Sequence, residues 1–217
     1  METTLNTKPF RFWIRWTLVN ALIIPLSYLI SLIAVVLVHG AFGFNMQEWG
    51  TPLSQTLSQI AGGAVIAIGI GMCQFVLLLK LFEVKLSWVY TLVSGFVLGE
   101  LITGLILWPL GYNRGELRFI EFNALPEALI FVLIGTITGF LQWFLLKRYF
   151  SKSIFWITAN GLGWGLCILT MAYGYVFPSL MQDHSILSDL LFFCLGSALY
   201  GAITGAALIW VLHKKEI

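Results

Sequence analysis

The chain is 217 residues long, 59% hydrophobic and only 10% charged, with a mean hydropathy of +0.91. A water-soluble domain of this size cannot hide so much apolar surface, because too large a share of its residues must face solvent. The net charge is +2, and the few cations form a thin ring that suits anionic lipid headgroups rather than a basic surface for nucleic acid.

The solvent is therefore lipid. There every backbone N–H and C=O needs an internal partner, which leaves helices or closed barrels. The apolar runs are about 20 residues long and do not alternate, so they read as helices. The first spans roughly Trp13–Val38. Its apolar core exceeds that of a cleavable signal peptide, and the flank Lys8, Arg11, Arg15 runs into it, so it reads as a retained span. Pro25 removes one helix hydrogen bond and is expected to kink it. The second span is roughly Ile60–Phe82, with Gly71 and Gln74 inside it. The third, Leu86–Trp108, contains Gly95, Gly99 and Glu100. The fourth, Ala128–Tyr149, contains Gly135, Gly139 and Gln142. The fifth, Ile154–Phe177, contains Asn160, Gly161 and Gly165. The sixth, Ile186–Leu212, contains Gly201 and Gly205. No soluble module interrupts them, and residues 1–217 read as one membrane domain.

Charge sets an expected orientation. Lys8, Arg11, Arg15, Lys80, Lys85, Lys147, Arg148, Lys152, Lys214 and Lys215 lie at the termini and the two short turns. The longer connections carry Glu48, Glu116, Glu121, Glu127, Asp183 and Asp189 against Arg114 and Arg118. The positive-inside rule then puts both termini and the short turns in the cytoplasm.

The spans repeat. "AIGIGMCQFVLLLK" in the second, "GTITGFLQWFLLKR" in the fourth and "GAITGAALIWVLHK" in the sixth align Ala67, Gly135 and Gly201, then Gly71, Gly139 and Gly205. Gln74 aligns with Gln142, and Leu208 takes that place in the third copy. A constant offset of 68 residues carries Gln74, Trp88 and Gly95 onto Gln142, Trp156 and Gly163. "WTLVNA" in the first span matches "WITANG" in the fifth, pairing Asn20 with Asn160. The repeat unit reads as a helical hairpin: about 58–108, 126–177, and 186–213 paired with 13–38. An all-α integral membrane fold follows, with six transmembrane helices as three hairpins in a circularly closed, pseudo-threefold arrangement. Glycines four apart share a helix face and let two backbones approach. Gly71, Gly95, Gly99, Gly135, Gly139, Gly161, Gly165, Gly201 and Gly205 are the expected packing positions. Gln142 and Asn160 stand equally far from the turn near Ser151, so a hydrogen bond between them is expected.

The recurrent "GxxxGxxQW" and "WxxxN" segments resemble those of uncharacterised multi-pass membrane proteins of bacteria, including photosynthetic ones. The resemblance covers all six spans and is loose in the outer loops. It implies this architecture and a bacterial cell membrane or a thylakoid, and it carries no activity with it.

Glu100 is the one carboxylate well inside an expected span, Asp189 standing only at the edge of the sixth, and the repeat puts Tyr28 and Ile168 in its place. An acid there costs roughly 3 kcal/mol on insertion scales and is by default a functional hypothesis. It could serve a ligand or ion, or simply pair with Arg114 or Arg118. Gln74, Gln142, Asn20 and Asn160 could ligate an ion or a pigment magnesium, or act as glue between helices. Cys73, Cys167 and Cys194 have no metal-ligand spacing, and His39, His184 and His213 have no partner at ligand spacing. No H-E-x-x-H or G-x-S-x-G occurs, and "GLGWG" within the fifth span is a false match to a phosphate loop. "FGFNMQEWG" and "ELRFIEF" are expected to lie along the membrane surface with Trp49, Trp108 and Tyr112 as an aromatic belt.

The leading expectation is a non-enzymatic accessory or scaffold subunit of a larger membrane complex. Lipid, quinone or pigment are the ligand classes that could sit between its hairpins. The competing class is a small-solute transporter, a channel or a substrate-capturing importer subunit that uses Glu100.

Overall fold

The computed structural model describes residues 9–42, 52–79, 81, 85–107, 124–181 and 186–213, and their side chains except at 52, 107, 175–181, 186–187, 189 and 213. Every regular element in these segments is an α-helix: α1 Pro9–Phe42, α2 Pro52–Leu78, α3 Ser87–Leu107, α4 Ala124–Leu146, α5 Phe155–Met181 and α6 Ile186–His213. All six are long and apolar enough to cross a membrane, and the chain is a multi-pass membrane protein. Each helix packs on its neighbours in sequence, and α6 also packs on α1.

Prolines mark several helix starts. Pro9 and Pro52 open α1 and α2, and Pro126 lies in the first turn of α4. The first N–H groups of a helix have no intrahelical acceptor, so proline loses nothing there. The sequence reading starts the fourth span at Ala128; the helix begins four residues earlier, at Ala124. Glu127 is therefore a helix residue rather than a loop residue. It sits in the first turn, where the helix dipole favours an anion. α1 is 34 residues long and runs through Pro25 without interruption. Its length, roughly 50 Å at the helical rise, exceeds a hydrocarbon core of about 30 Å.

Polarity is inverted relative to a soluble protein. Leu22 (68% exposed), Leu105 and Leu129 face outward, while Asn20, Gln74, Gln142 and Asn160 are fully buried. Only lipid tolerates that arrangement, because buried amides find partners inside and leucines find tails outside.

The interior has two apolar layers. The first, near the turn that joins α4 to α5, centres on Trp16, Trp88 and Trp156, all fully buried. Ring centroids are 6.3 Å apart for Trp16–Trp156 and 5.6 Å for Trp88–Trp156. Leu78, Leu146 and Leu208 pack into the same cluster. The second layer holds Ile24, Ala67, Ile70, Leu92, Phe96, Ile134, Trp164 and Tyr200. Trp164 lies tilted against Tyr200, ring centroids 4.7 Å apart, and meets Phe96 edge-on at 5.1 Å.

Glycines bring the backbones together. A methyl added at Gly95 would lie 2.6 Å from the Thr138 Cα, and one at Gly99 3.1 Å from the Ile134 Cα, so α3 and α4 touch along both. Gly71 faces the Val89 Cα at 3.2 Å, Gly139 the Ile157 Cα at 3.0 Å and Gly201 the Thr17 Cα at 2.9 Å, each measured the same way. These distances leave no room for a side chain and maximise backbone contact, the main source of helix association in lipid.

Candidate functional site

Buried amides and hydroxyls of α1, α2, α4, α5 and α6 gather on one level beside the tryptophan layer. The W-x-x-x-N spacing acts first within a helix: Asn20 Nδ2 donates to the Trp16 carbonyl (2.7 Å) and Asn160 Nδ2 to the Trp156 carbonyl (3.0 Å). These bonds fix both amides with their oxygens turned to accept. Gln74 Nε2 donates to Asn20 Oδ1 (3.0 Å), joining α2 to α1. The Tyr200 hydroxyl donates to Asn160 Oδ1 (3.1 Å), joining α6 to α5.

Each buried tryptophan of the first layer is tied to a neighbouring helix through its indole N–H. Trp88 Nε1 donates to Gln74 Oε1 (3.2 Å) and Trp156 Nε1 to Gln142 Oε1 (2.9 Å). Trp16 Nε1 donates to Thr204 Oγ1 (3.0 Å), and that hydroxyl donates in turn to the Tyr200 carbonyl (2.8 Å). The sequence reading gives no role to these three indoles, although the spacing of two of them to Asn20 and Asn160 is visible in it. It gives none to Thr204 either.

One expectation about a contact is corrected. The hydrogen bond expected between Gln142 and Asn160 is replaced by two others. Gln142 Oε1 accepts from Trp156, and Asn160 Oδ1 accepts from Tyr200. Equal depth fixes the level along the helices but not the direction around them. On α6 the residue that accepts from a buried tryptophan is Thr204, one helical turn before the Leu208 that the sequence aligns with Gln142. Leu208 instead joins Leu78 and Leu146 in the tryptophan layer.

One amide is incompletely satisfied. Gln142 Nε2 is buried without a hydrogen-bond partner, as are Trp164 Nε1, Thr17 Oγ1 and Ser153 Oγ. Gln74, by contrast, uses both ends of its amide.

At the opposite end of the bundle Glu100 is 4% exposed and Glu127 7%. Both are engaged with neighbouring groups. Glu100 lies against α2, since a methyl on Gly63 would sit 3.8 Å from its Cγ. Arg114 and Arg118, and the loop segments expected along the membrane surface, lie outside the described residues. Buried His39 is held by Nδ1 to the Val35 carbonyl (2.8 Å), with Ser58 Oγ 3.4 Å from the ring. Among the described residues no three His, Cys, Asp or Glu side chains are grouped to hold a metal ion.

Ala67 and Ile70 on α2 and Leu92 and Phe96 on α3 stand between Glu100 and Gln74 along the helices, each 2% exposed or less. The structure thus gathers Asn20, Gln74, Gln142 and Asn160 at one level and leaves Glu100 apart, across an apolar layer.

No protein-family model matches this chain, and no curated protein or solved structure does.

Proposed function

We propose that the chain is a rigid, non-catalytic accessory or scaffold subunit of a membrane complex, seated in a bacterial cell membrane or a thylakoid with both termini in the cytoplasm. The observation that carries this reading is the filled interior. The buried amides and indoles are mostly spent on each other, and the apolar layer of Ala67, Ile70, Leu92 and Phe96 separates them from Glu100. Such a bundle offers a stable lipid-facing surface for partners or for lipid, quinone or pigment. The test is purification in mild detergent followed by mass spectrometry. A stoichiometric partner or bound cofactor is expected. A lone protein that catalyses solute flux in liposomes would overturn the reading.

The same proposal includes three hairpins, α2–α3, α4–α5 and α6–α1, around an approximate threefold axis. Support comes from the three indole bonds, the trio Leu78, Leu146 and Leu208, and the close approaches of Gly71, Gly139 and Gly201. The indole bonds match each other only if α6 is moved one turn from its sequence alignment. For orientation, cysteines introduced at Ser151 and Asn113 should label from the cytoplasm and from outside, respectively.

A transport reading is favoured by one observation: two buried carboxylates, Glu100 and Glu127, rather than one. Glu100→Gln separates the two. On the scaffold reading the variant folds and keeps its partner. On the transport reading it folds and loses flux.

A further inference from the structure

The end of the bundle that carries the α4–α5 turn is strongly one-signed. Arg11, Arg15, Lys85, Lys147 and Arg148 are exposed there, Lys152 is half-buried, and no carboxylate accompanies them among the described residues. The summed field of six cations draws anions toward this end. Three of the six fall within the turn that joins α4 to α5. Aromatic rings surround two of these. The Lys147 ammonium lies 4.6 Å from the Trp143 ring centroid and 4.1 Å from that of Phe144. The Lys152 ammonium lies 5.8 Å from the Trp210 ring, which meets Phe155 edge-on at 4.5 Å. Trp210 is 40% exposed and Phe155 51%. Rings that are half-exposed and capped by ammonium groups fit the headgroup level of a bilayer, where one edge is wet and the other apolar. Below them an apolar track continues toward the membrane centre. Leu162 and Leu166 of α5 and Leu199 of α6 are exposed, with the small Ala206 also exposed one turn before Trp210.

We infer that this wall of α4, α5 and α6 is a seat for an anionic phospholipid. Lys147, Arg148 and Lys152 hold the headgroup phosphate. Trp210 and Phe155 receive the glycerol and the first acyl carbons, and the chain lies along Leu162, Leu166 and Leu199. Charge complementarity sets the headgroup sign, since a zwitterionic lipid brings no net charge to the exposed Lys147 and Arg148 of this turn, beside which Lys152 also has a further partner. The inference is independent of whether the protein scaffolds or transports.

Native mass spectrometry of the full chain tests it, with phosphatidylglycerol and phosphatidylcholine of identical chains offered at equal concentration. Phosphatidylglycerol adducts are expected to exceed phosphatidylcholine adducts on the order of fivefold, or about 1 kcal/mol shared among the cations of the turn, because both lipids carry the phosphate and only phosphatidylglycerol a net charge. The triple substitution Lys147→Gln, Arg148→Gln, Lys152→Gln should bring the ratio close to one. Arg11→Gln with Arg15→Gln should keep most of it. Trp210→Leu, which leaves every charge in place, should weaken adducts of both lipids. Circular dichroism melts show which variants fold; should the triple fail, Arg148→Gln alone, at an exposed position, is expected to lower the ratio about twofold. Equal adducts on the native chain overturn the inference. So does an unchanged ratio in a folded triple variant, or in folded Arg148→Gln where the triple does not fold. So does a co-purifying acidic protein that keeps phosphatidylglycerol off the native chain and is lost from the triple variant, since the cations would then be that protein's seat.

Discussion

Gln74 and Gln142 occupy similar surroundings and reach different outcomes. Each is fully buried, and each accepts a hydrogen bond from a tryptophan 14 residues further along the chain. Gln74 also donates to Asn20 on α1. Gln142 finds no acceptor for its Nε2. α4 also packs on α3, where the residue four after the tryptophan is Leu92 and not an asparagine. Leu92 is buried and belongs to the apolar layer. Half of the Gln142 amide is thus unsatisfied in the membrane interior. The same residue type can thus be a complete bridge between three helices in one place and an incomplete bridge between two in another.

Three substitutions probe that difference, each read as a shift in unfolding midpoint in detergent. Gln74→Leu should have the largest effect. It strips the partner from Asn20 Oδ1 and from Trp88 Nε1 together, and a loss of about 2 kcal/mol is expected, above the usual value for one hydrogen bond between membrane helices. A loss no larger than that of Gln142→Leu would erase the distinction. Gln142→Leu removes an amide already half unsatisfied and orphans Trp156 Nε1 alone, so the loss should be near ~0.6 kcal/mol. Smallest is Leu92→Asn, which offers Gln142 Nε2 the acceptor it lacks. A gain of about 0.5 kcal/mol is expected, and the gain should disappear in a Gln142→Leu background. A gain that persists there would mean that the introduced amide had found another partner.

The position of each helix along the chain was legible because periodicity, length and the lack of charge all point the same way. The glycine approaches were legible because a four-residue spacing leaves only one face on which two backbones can meet. The starts of α2 and α4 were not. α2 begins at Pro52, well before the expected Ile60, and Glu127 read as a loop residue although it suits a first helical turn. The partner of Trp16 on α6 was hidden too, for a simple physical reason. A Gly-x-x-x-Gly word slipped by four residues still lays a glycine on a glycine, so the word does not say which residue of α6 meets that indole. It is Thr204 that places a hydroxyl within its reach.

Composition and spacing within a single helix were enough to set the solvent, the helices and the faces that could pack. Spacing also placed Asn20 and Asn160 four residues after a tryptophan, where each bonds that tryptophan's carbonyl within its own helix. Which polar groups meet across helices was settled by packing. Direction around a helix axis is set by the neighbour on either side, and no stretch of one helix contains that neighbour. That is why Gln142 turned to Trp156 and away from Asn160, and why Tyr200 took the Asn160 oxygen.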